Sequence, residues 1–293
     1  MDRRDYLQSA GATAAILTAA GCVGGGGSDG TETDGEMGET DGGMEETESP
    51  TSTPETVTIG SDIPYRPFEY ETTDGDLVGF DVEIADAVFG EQLGLQPEFQ
   101  DTSFDSIIGS LNNGNFRVIM SAMTINDERD QQVDFSDPYF TAYQTIVVLE
   151  GSDIDEKSDL KGQAVGVQKG TTGAGAADAL KEEFGGDMTI KRYDQIPAAF
   201  SALQNNQVVA VINDNTVNAE FVDNNDGVRF VEGEGEAAQG DGEAPPYLTL
   251  TVEEYGIAFR EDDDEFRQQV NEALAAIRED GTYDEIYAEY FSG

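Results

Sequence analysis

From Val57 onward, short apolar runs of strand type alternate with runs whose apolar side chains recur every three to four residues. That alternation is the strongest constraint on the fold, because strands separated by helices lead to an α/β architecture in which helices cover the sheet on both faces. "VTIGSD" reads as a short alternating strand. In "FDVEIADAVFGEQLG", Phe80, Ile84 and Val88 stand four apart on one helical face, which Gly94 stops. "SFDSIIGSLNNG" places Phe104, Ile107, Ile108 and Leu111 on another face, closed by Asn-Asn-Gly. "FRVIMSAM" and "QTIVVL" are continuous apolar strands, so a largely parallel sheet is expected. After Leu149 the rhythm restarts with "QAVGVQ", the helix "GAGAADALKEEFG", "AAFSALQNNQ" and "VVAVIND". Toward the end "EEYGIAF" reads as a strand, and Phe266, Val270, Leu274 and Ile277 line a helix stopped at Gly281. No repeat recurs at a fixed period. A body of this size supports a sizeable core and two lobes.

The residues before this body have another character. "MDRRDYLQSAGATAAILTAAGC" joins Arg3 and Arg4 to an apolar stretch too short to span a bilayer of about 30 Å. It reads as an export signal over residues 1–21, resembling a twin-arginine signal that runs into a lipoprotein cleavage box. Asp2 and Ala19 depart from the usual residues of those two motifs. Cys22 is the one cysteine of the chain, so disulfides and thiol nucleophiles are excluded from the body, and a lipid on Cys22 is expected to anchor the protein to the membrane. Residues 22–56 are Gly, acids, Ser, Thr and Pro with almost no apolar side chain. They cannot bury enough surface to offset the entropy of ordering, and they read as a lipid-anchored, disordered acidic tether.

The acidity continues through the body. The whole chain carries 61 Asp and Glu against 15 Lys and Arg, a formal net charge of −46, and the part from Val57 onward keeps −36. Without a basic stripe, nucleic acid and anionic lipid headgroups are excluded as partners of the body. At molar salt the Debye length is about 3 Å and such self-repulsion is screened, which points to a halophilic source.

Five blocks in one order, "IGSDIPYRPFEY" with "GFDVEIADAV", "FDSIIGSLNNGNFRVIMSAMTINDERDQQVDFSDPYF", "VGVQKGTTG", "VINDNTV" and "EEYGIAFREDDDEFRQQVNEALAAIREDGTYDEIYAEYF", carry a resemblance. The body resembles the extracellular solute-binding proteins of amino-acid ABC transporters, such as the periplasmic histidine- and glutamine-binding proteins. Two features depart from the pattern: Arg117 replaces the usual Asp, and "VEGEGEAAQGDGEAPP" is a longer, more acidic surface excursion. The resemblance implies an α/β, two-lobed periplasmic-binding-protein-like fold of type II, with a ligand in the interlobe cleft and a two-strand hinge. Residues 57–145 and 251–293 would form the first lobe and 146–250 the second. It implies capture of an amino acid for the permease subunits of an ABC transporter, by a monomer, without cofactor or metal.

Position by position, the resemblance implies that Arg129 clamps the ligand's α-carboxylate. A planar guanidinium with paired N–H donors suits that grip better than lysine. Thr124 adds a hydroxyl donor, and the Ala122 carbonyl faces the ligand's ammonium. The backbone N–H groups of Thr171 and Thr172 meet the carboxylate at a helix N-terminus, and Asp214 receives the α-ammonium. Asp62, Tyr65 and Phe104 line the side-chain pocket. Gln168 and Phe68 stand open between pocket and core. Two other functions suit the same pattern: a dehydratase of prephenate or arogenate, which would need a cleft carboxyl as its acid, and a sensory ectodomain. Asp62 by itself does not select a cationic ligand.

Overall fold

A computed structural model of the chain describes residues 55–239 and 245–291. The expectations for Arg3, Arg4, Cys22, the signal and nearly all of the tether lie outside the described residues, as does 240–244 of the acidic excursion. Among the described residues no helix is long and apolar enough to cross a membrane.

The first sheet is built on β1 (Thr56–Ser61), whose alternating apolar residues Val57 and Ile59 are buried. A two-stranded hairpin, β2 (Tyr70–Glu71) and β3 (Leu77–Val78), leads into α1 (Phe80–Ala85). The same apolar face continues past Ala85 through Asp86–Gln92 in wider turns, where Leu93 N–H bonds Val88 O at 3.2 Å. The chain then forms β4 (Gln96–Asp101), α2 (Ile107–Asn112) and β5 (Val118–Ile119). β1 lies between β4 and β5, parallel to both, with Ile59 opposite Phe99 and Val118. β6 (Asp134–Phe135) and the late strand β13 (Ala258–Phe259) complete the order β4-β1-β5-β13-β6.

The long strand β7 (Phe140–Leu149) leaves this lobe and enters the second sheet. There β8 (Ala164–Gln168), α3 (Thr172–Glu183), β9 (Thr189–Tyr193), α4 (Ile196–Gln204), β10 (Ala210–Asp214), α5 (Asn215–Asp223) and β11 (Val228–Phe230) follow. β10, β8 and β9 are parallel neighbours, whereas β7 runs antiparallel to β10 and β11. β12 (Thr249–Tyr255) pairs antiparallel with β7 from Thr249 opposite Thr145 to Tyr255 opposite Phe140. β7 and β12 are thus the outbound and returning strands of a two-lobed α/β molecule.

Two sequence expectations are corrected. The sheets are mixed rather than largely parallel, because strands that leave a lobe and return to it run against the βαβ units they flank. The run "FRVIMSAM" supplies only the two residues of β5 to the sheet. After Ile119 the backbone turns, Ala122 adopts φ 45°, and the Ala122 N–H goes to the carboxylate of Asp81 at 2.8 Å.

The chain ends in α6 (Asp264–Glu279) and α7 (Thr282–Phe291). Phe266, Val270, Leu274 and Ile277 are buried as their spacing requires, each worth roughly 1.5–3 kcal/mol when fully buried. Phe291 lies 5.1 Å from Phe80 and 4.9 Å from Phe140 between ring centroids, so the last helix packs back on the first lobe. Arg117 forms a two-point bond with Asp263, at 3.0 and 3.2 Å, and lies over the Phe266 ring, which ties the start of β5 to α6.

Candidate functional site

The functional candidates sit where strands end. Asp62 follows β1, Ser121 to Thr124 follow β5, Gln168 and Asp214 are the last residues of β8 and β10, and Thr171 and Thr172 open α3. Loops at the carboxyl ends of strands in open α/β sheets are the usual place for a ligand crevice. Asp62, Tyr65, Phe104, Ala122, Thr124, Arg129, Thr171, Thr172 and Asp214 all line one cavity, together with Ser121 and Gln168. Between them these side chains leave room for little more than one water molecule. The cleft is shut, so anything larger than water requires these groups to separate or exchange partners. A groove of about 550 Å³ opens beside the cavity and shares Phe104, Arg129, Thr171 and Thr172 with it.

Arg129 is buried. Its backbone N–H is held by Asn126 Oδ1 at 3.0 Å, and its guanidinium donates to Thr124 O at 2.6 Å and, across the cleft, to Gly170 O at 3.1 Å. The guanidinium carbon lies 5.1 Å from the centre of the Phe104 ring. Among the described residues Arg129 makes no ion pair. Burial pulls its pKa down, while Glu253 and Asp214 act in the opposite direction.

Asp214 is the mirror case. Tyr65 Oη and Gln144 Nε2 both donate to its carboxylate, and it too has no ion pair among the described residues. Burial raises its pKa to about 7, with Glu253 adding to the rise. Tyr65 Oη also lies 3.2 Å from Asn213 Oδ1, so this first-lobe phenol reaches the end of β10 in the second lobe. Asp62 accepts from Phe104 N at 2.6 Å and from Gln168 Nε2 at 3.1 Å. Burial raises Asp62 to about 6, and Asp101 and Asp105 contribute to the rise.

At the start of α3, the Thr171 hydroxyl accepts Ala174 N–H at 3.2 Å and donates to Gln168 O at 2.9 Å. Gly173 follows because a Cβ there would stand 2.8 Å from Gln144 Oε1 and 3.0 Å from Ile212 O. The structure places Phe68 in the core, against Phe140 and Tyr255, and Gln168 in the cavity wall.

Three site residues escaped the sequence reading. Ser121 donates to the buried Glu69 at 2.7 Å and accepts Asp62 N–H at 3.0 Å. Gln144 and Glu253, on the two crossing strands, form the floor between the lobes. Glu253 Oε2 accepts from Thr124 Oγ1 and Thr172 Oγ1, both at 2.7 Å, and from Gln144 Nε2 at 3.3 Å. In this arrangement the single proton of the Thr124 hydroxyl points at Glu253.

Comparison with known proteins gives the family of the chain. Residues 57–293 match the profile of the bacterial extracellular solute-binding proteins, family 3. The chain belongs to that family. A probable histidine-binding protein of Neisseria gonorrhoeae is 35% identical over 249 residues, 83% of this chain and 86% of that protein. Among solved structures, an ancestral arginine-binding protein bound to arginine superposes with a TM-score of 0.71 at 38% identity, covering 80% of this chain and 98% of the other. An ancestral amino acid-binding protein that is a precursor of cyclohexadienyl dehydratase gives a TM-score of 0.70 at 34% identity, over 80% and 95% of the two chains. The family 3 fold is therefore the setting in which the cleft of this chain has to be understood.

Proposed function

We propose that this protein captures a free α-amino acid outside the cell and delivers it to the membrane subunits of an ABC transporter. The observation that carries the reading is one cavity holding a buried guanidinium and a buried carboxylate, Arg129 and Asp214, neither in an ion pair among the described residues. An unpaired buried charge is costly. A zwitterion relieves both at once, its carboxylate on Arg129 and the N–H groups of Thr171 and Thr172, its ammonium on Asp214 and the Ala122 carbonyl. Asp62, Tyr65 and Phe104 then surround the ligand's side chain. The cavity and the groove beside it hold three carboxyl groups, Asp62, Asp214 and Glu253, against one guanidinium, an excess that favours a ligand side chain bringing positive charge, in keeping with relatives named for histidine and arginine.

Calorimetric titration with arginine, lysine, histidine and glutamine tests the reading. One-to-one saturable binding is expected. Argininamide and agmatine, which lack the carboxylate, should bind at least about 30-fold more weakly than arginine. No binding by any of the four amino acids would refute the assignment.

A second reading has one observation in its favour. Burial raises Asp214 to about 7, so that it keeps a proton near neutral pH as a dehydratase acid must, and one structural neighbour is a precursor of cyclohexadienyl dehydratase. Prephenate carries two carboxylates into a cleft that already holds three carboxyl groups and one guanidinium, which weighs against it. Formation of phenylpyruvate from prephenate would decide for the enzyme.

The leader is assigned on sequence alone. Export by Arg3 and Arg4, a lipid anchor on Cys22 and an acidic tether would hold a monomeric body at the outer face of the membrane. Cys22→Ser should release the protein from membranes, and a variant that stays bound at mature size would remove the anchor.

A further inference from the structure

Glu253 is 7% exposed and, among the described residues, has no cationic partner. What holds it is a set of neutral donors from separate parts of the fold. Oε2 takes the Thr124 hydroxyl from the first lobe, the Thr172 hydroxyl from the first turn of α3 in the second lobe, and the Gln144 amide from β7. Oε1 takes the Thr251 hydroxyl, two residues back on β12, at 2.8 Å. The backbone fixes the first of these contacts. Ile125 N–H bonds Glu254 O at 2.8 Å and Gly256 N–H bonds Met123 O at 3.0 Å, so β12 runs alongside the segment that carries Thr124. Thr172 has no such backbone tie to β12. Its hydroxyl comes within 3.3 Å of that of Thr124 only while the lobes are together.

We propose that Glu253 is a closure latch: a hinge-borne carboxylate oxygen that gathers one hydroxyl from each lobe and so holds the cleft in its shut form. A hydroxyl has one proton, and both threonines direct theirs to the same acceptor. Opening the cleft takes Thr172 away and leaves Glu253 one donor short, a loss that water only partly makes good. Hydrogen bonds to a charged group are the stronger kind, so the latch adds to the lifetime of the closed state without touching the ligand. The same carboxylate also stabilises the Arg129 cation from a distance. It is a positioning residue, and its effect on ligand release rests on the amino-acid-binding reading.

The test compares wild type with Glu253→Gln and Glu253→Ala by stopped-flow binding of arginine and by small-angle scattering. Glu253→Ala should release ligand roughly tenfold faster with the association rate changed less than about threefold, and Glu253→Gln, which keeps one acceptor oxygen, should fall between. Combined with Thr172→Val, the loss should be less than the sum of the two single losses, because both remove the same bond. Scattering carries the test without ligand: the Glu253→Ala protein should show the larger radius of gyration, at a melting temperature within a few degrees of wild type. Unchanged release together with equal radii would overturn the latch. Tighter binding by Glu253→Gln would also overturn it, since Glu253 would then be a competitor of the ligand's carboxylate. A wild type that binds none of the amino acids fails the functional reading instead, and the ligand-free radii still decide the latch.

Discussion

Arg129 and Asp214 show how far residue-level reasoning extends. Their local contexts, "TINDER" and "VIND", matter only when strand order brings residues from two lobes to one cavity, and the resemblance of the whole sequence provided that order. Ser121, Gln144 and Glu253 were not legible in the same way. Gln144 and Glu253 are 109 residues apart, and their contact follows from the antiparallel register of β7 and β12, which no local pattern encodes. The raised pKa of Asp214 yields a prediction with a definite sign. In the ligand-free protein Asp214 keeps its proton up to about pH 7, against 3.8 ordinarily, so its contribution to stability is complete below 3.8 and is lost as pH rises through 7. Ligand affinity moves the opposite way, because an ammonium needs the carboxylate. Affinity should climb about tenfold per pH unit between pH 5 and 7 and level off above 7, with protons released on binding near pH 6.5. Titrations in buffers of different ionisation enthalpy measure this directly, and a flat profile from pH 5 to 8 would contradict it.

Helices with a regular apolar spacing were legible as elements, and α6 buries the four side chains that the pattern named. Strands at the cleft were less so. "EEYGIAF" divides into β12 and β13 at Gly256, where a Cβ would lie 2.9 Å from Ile125 Cδ1 and 3.1 Å from Phe135 Cδ1. "FRVIMSAM" leaves the sheet after two residues because the Ser121 hydroxyl and the Ala122 N–H are claimed by Glu69 and Asp81. The second departure serves the site, since it puts Ser121 and Ala122 in the cavity wall instead of along a ladder. At α3 the cap and the cavity use the same residue. Thr171→Ala removes the bond to Ala174 N–H and should cost about 1 kcal/mol of stability by denaturant titration. A loss below roughly 0.3 kcal/mol would mean that the cleft, and not the hydroxyl, holds the helix start.

For the molecule as a whole, charge and hinge set the behaviour. The part from Val57 onward carries −36, a charge density that opposes a compact state unless salt screens it. The ligand-free protein should melt at a markedly lower temperature in 50 mM salt than in 2 M. A melting temperature that is flat or higher on desalting would contradict the expectation of a halophilic source. The two lobes meet at Arg129 and Gly170, at Tyr65 and Asp214, and at Thr124, Glu253 and Thr172, so a ligand held by groups of both lobes has to act through closure. The most direct test of amino-acid capture in this cleft is calorimetric titration of wild type and Arg129→Met with the tightest-binding amino acid. Removing one partner of a buried charge pair costs roughly 2–5 kcal/mol, so the mutant should bind at least about 30-fold more weakly while still folding, with a melting temperature within a few degrees of wild type. Equal affinity in the two proteins would mean that the guanidinium never meets the ligand, and the account of the cleft would fail.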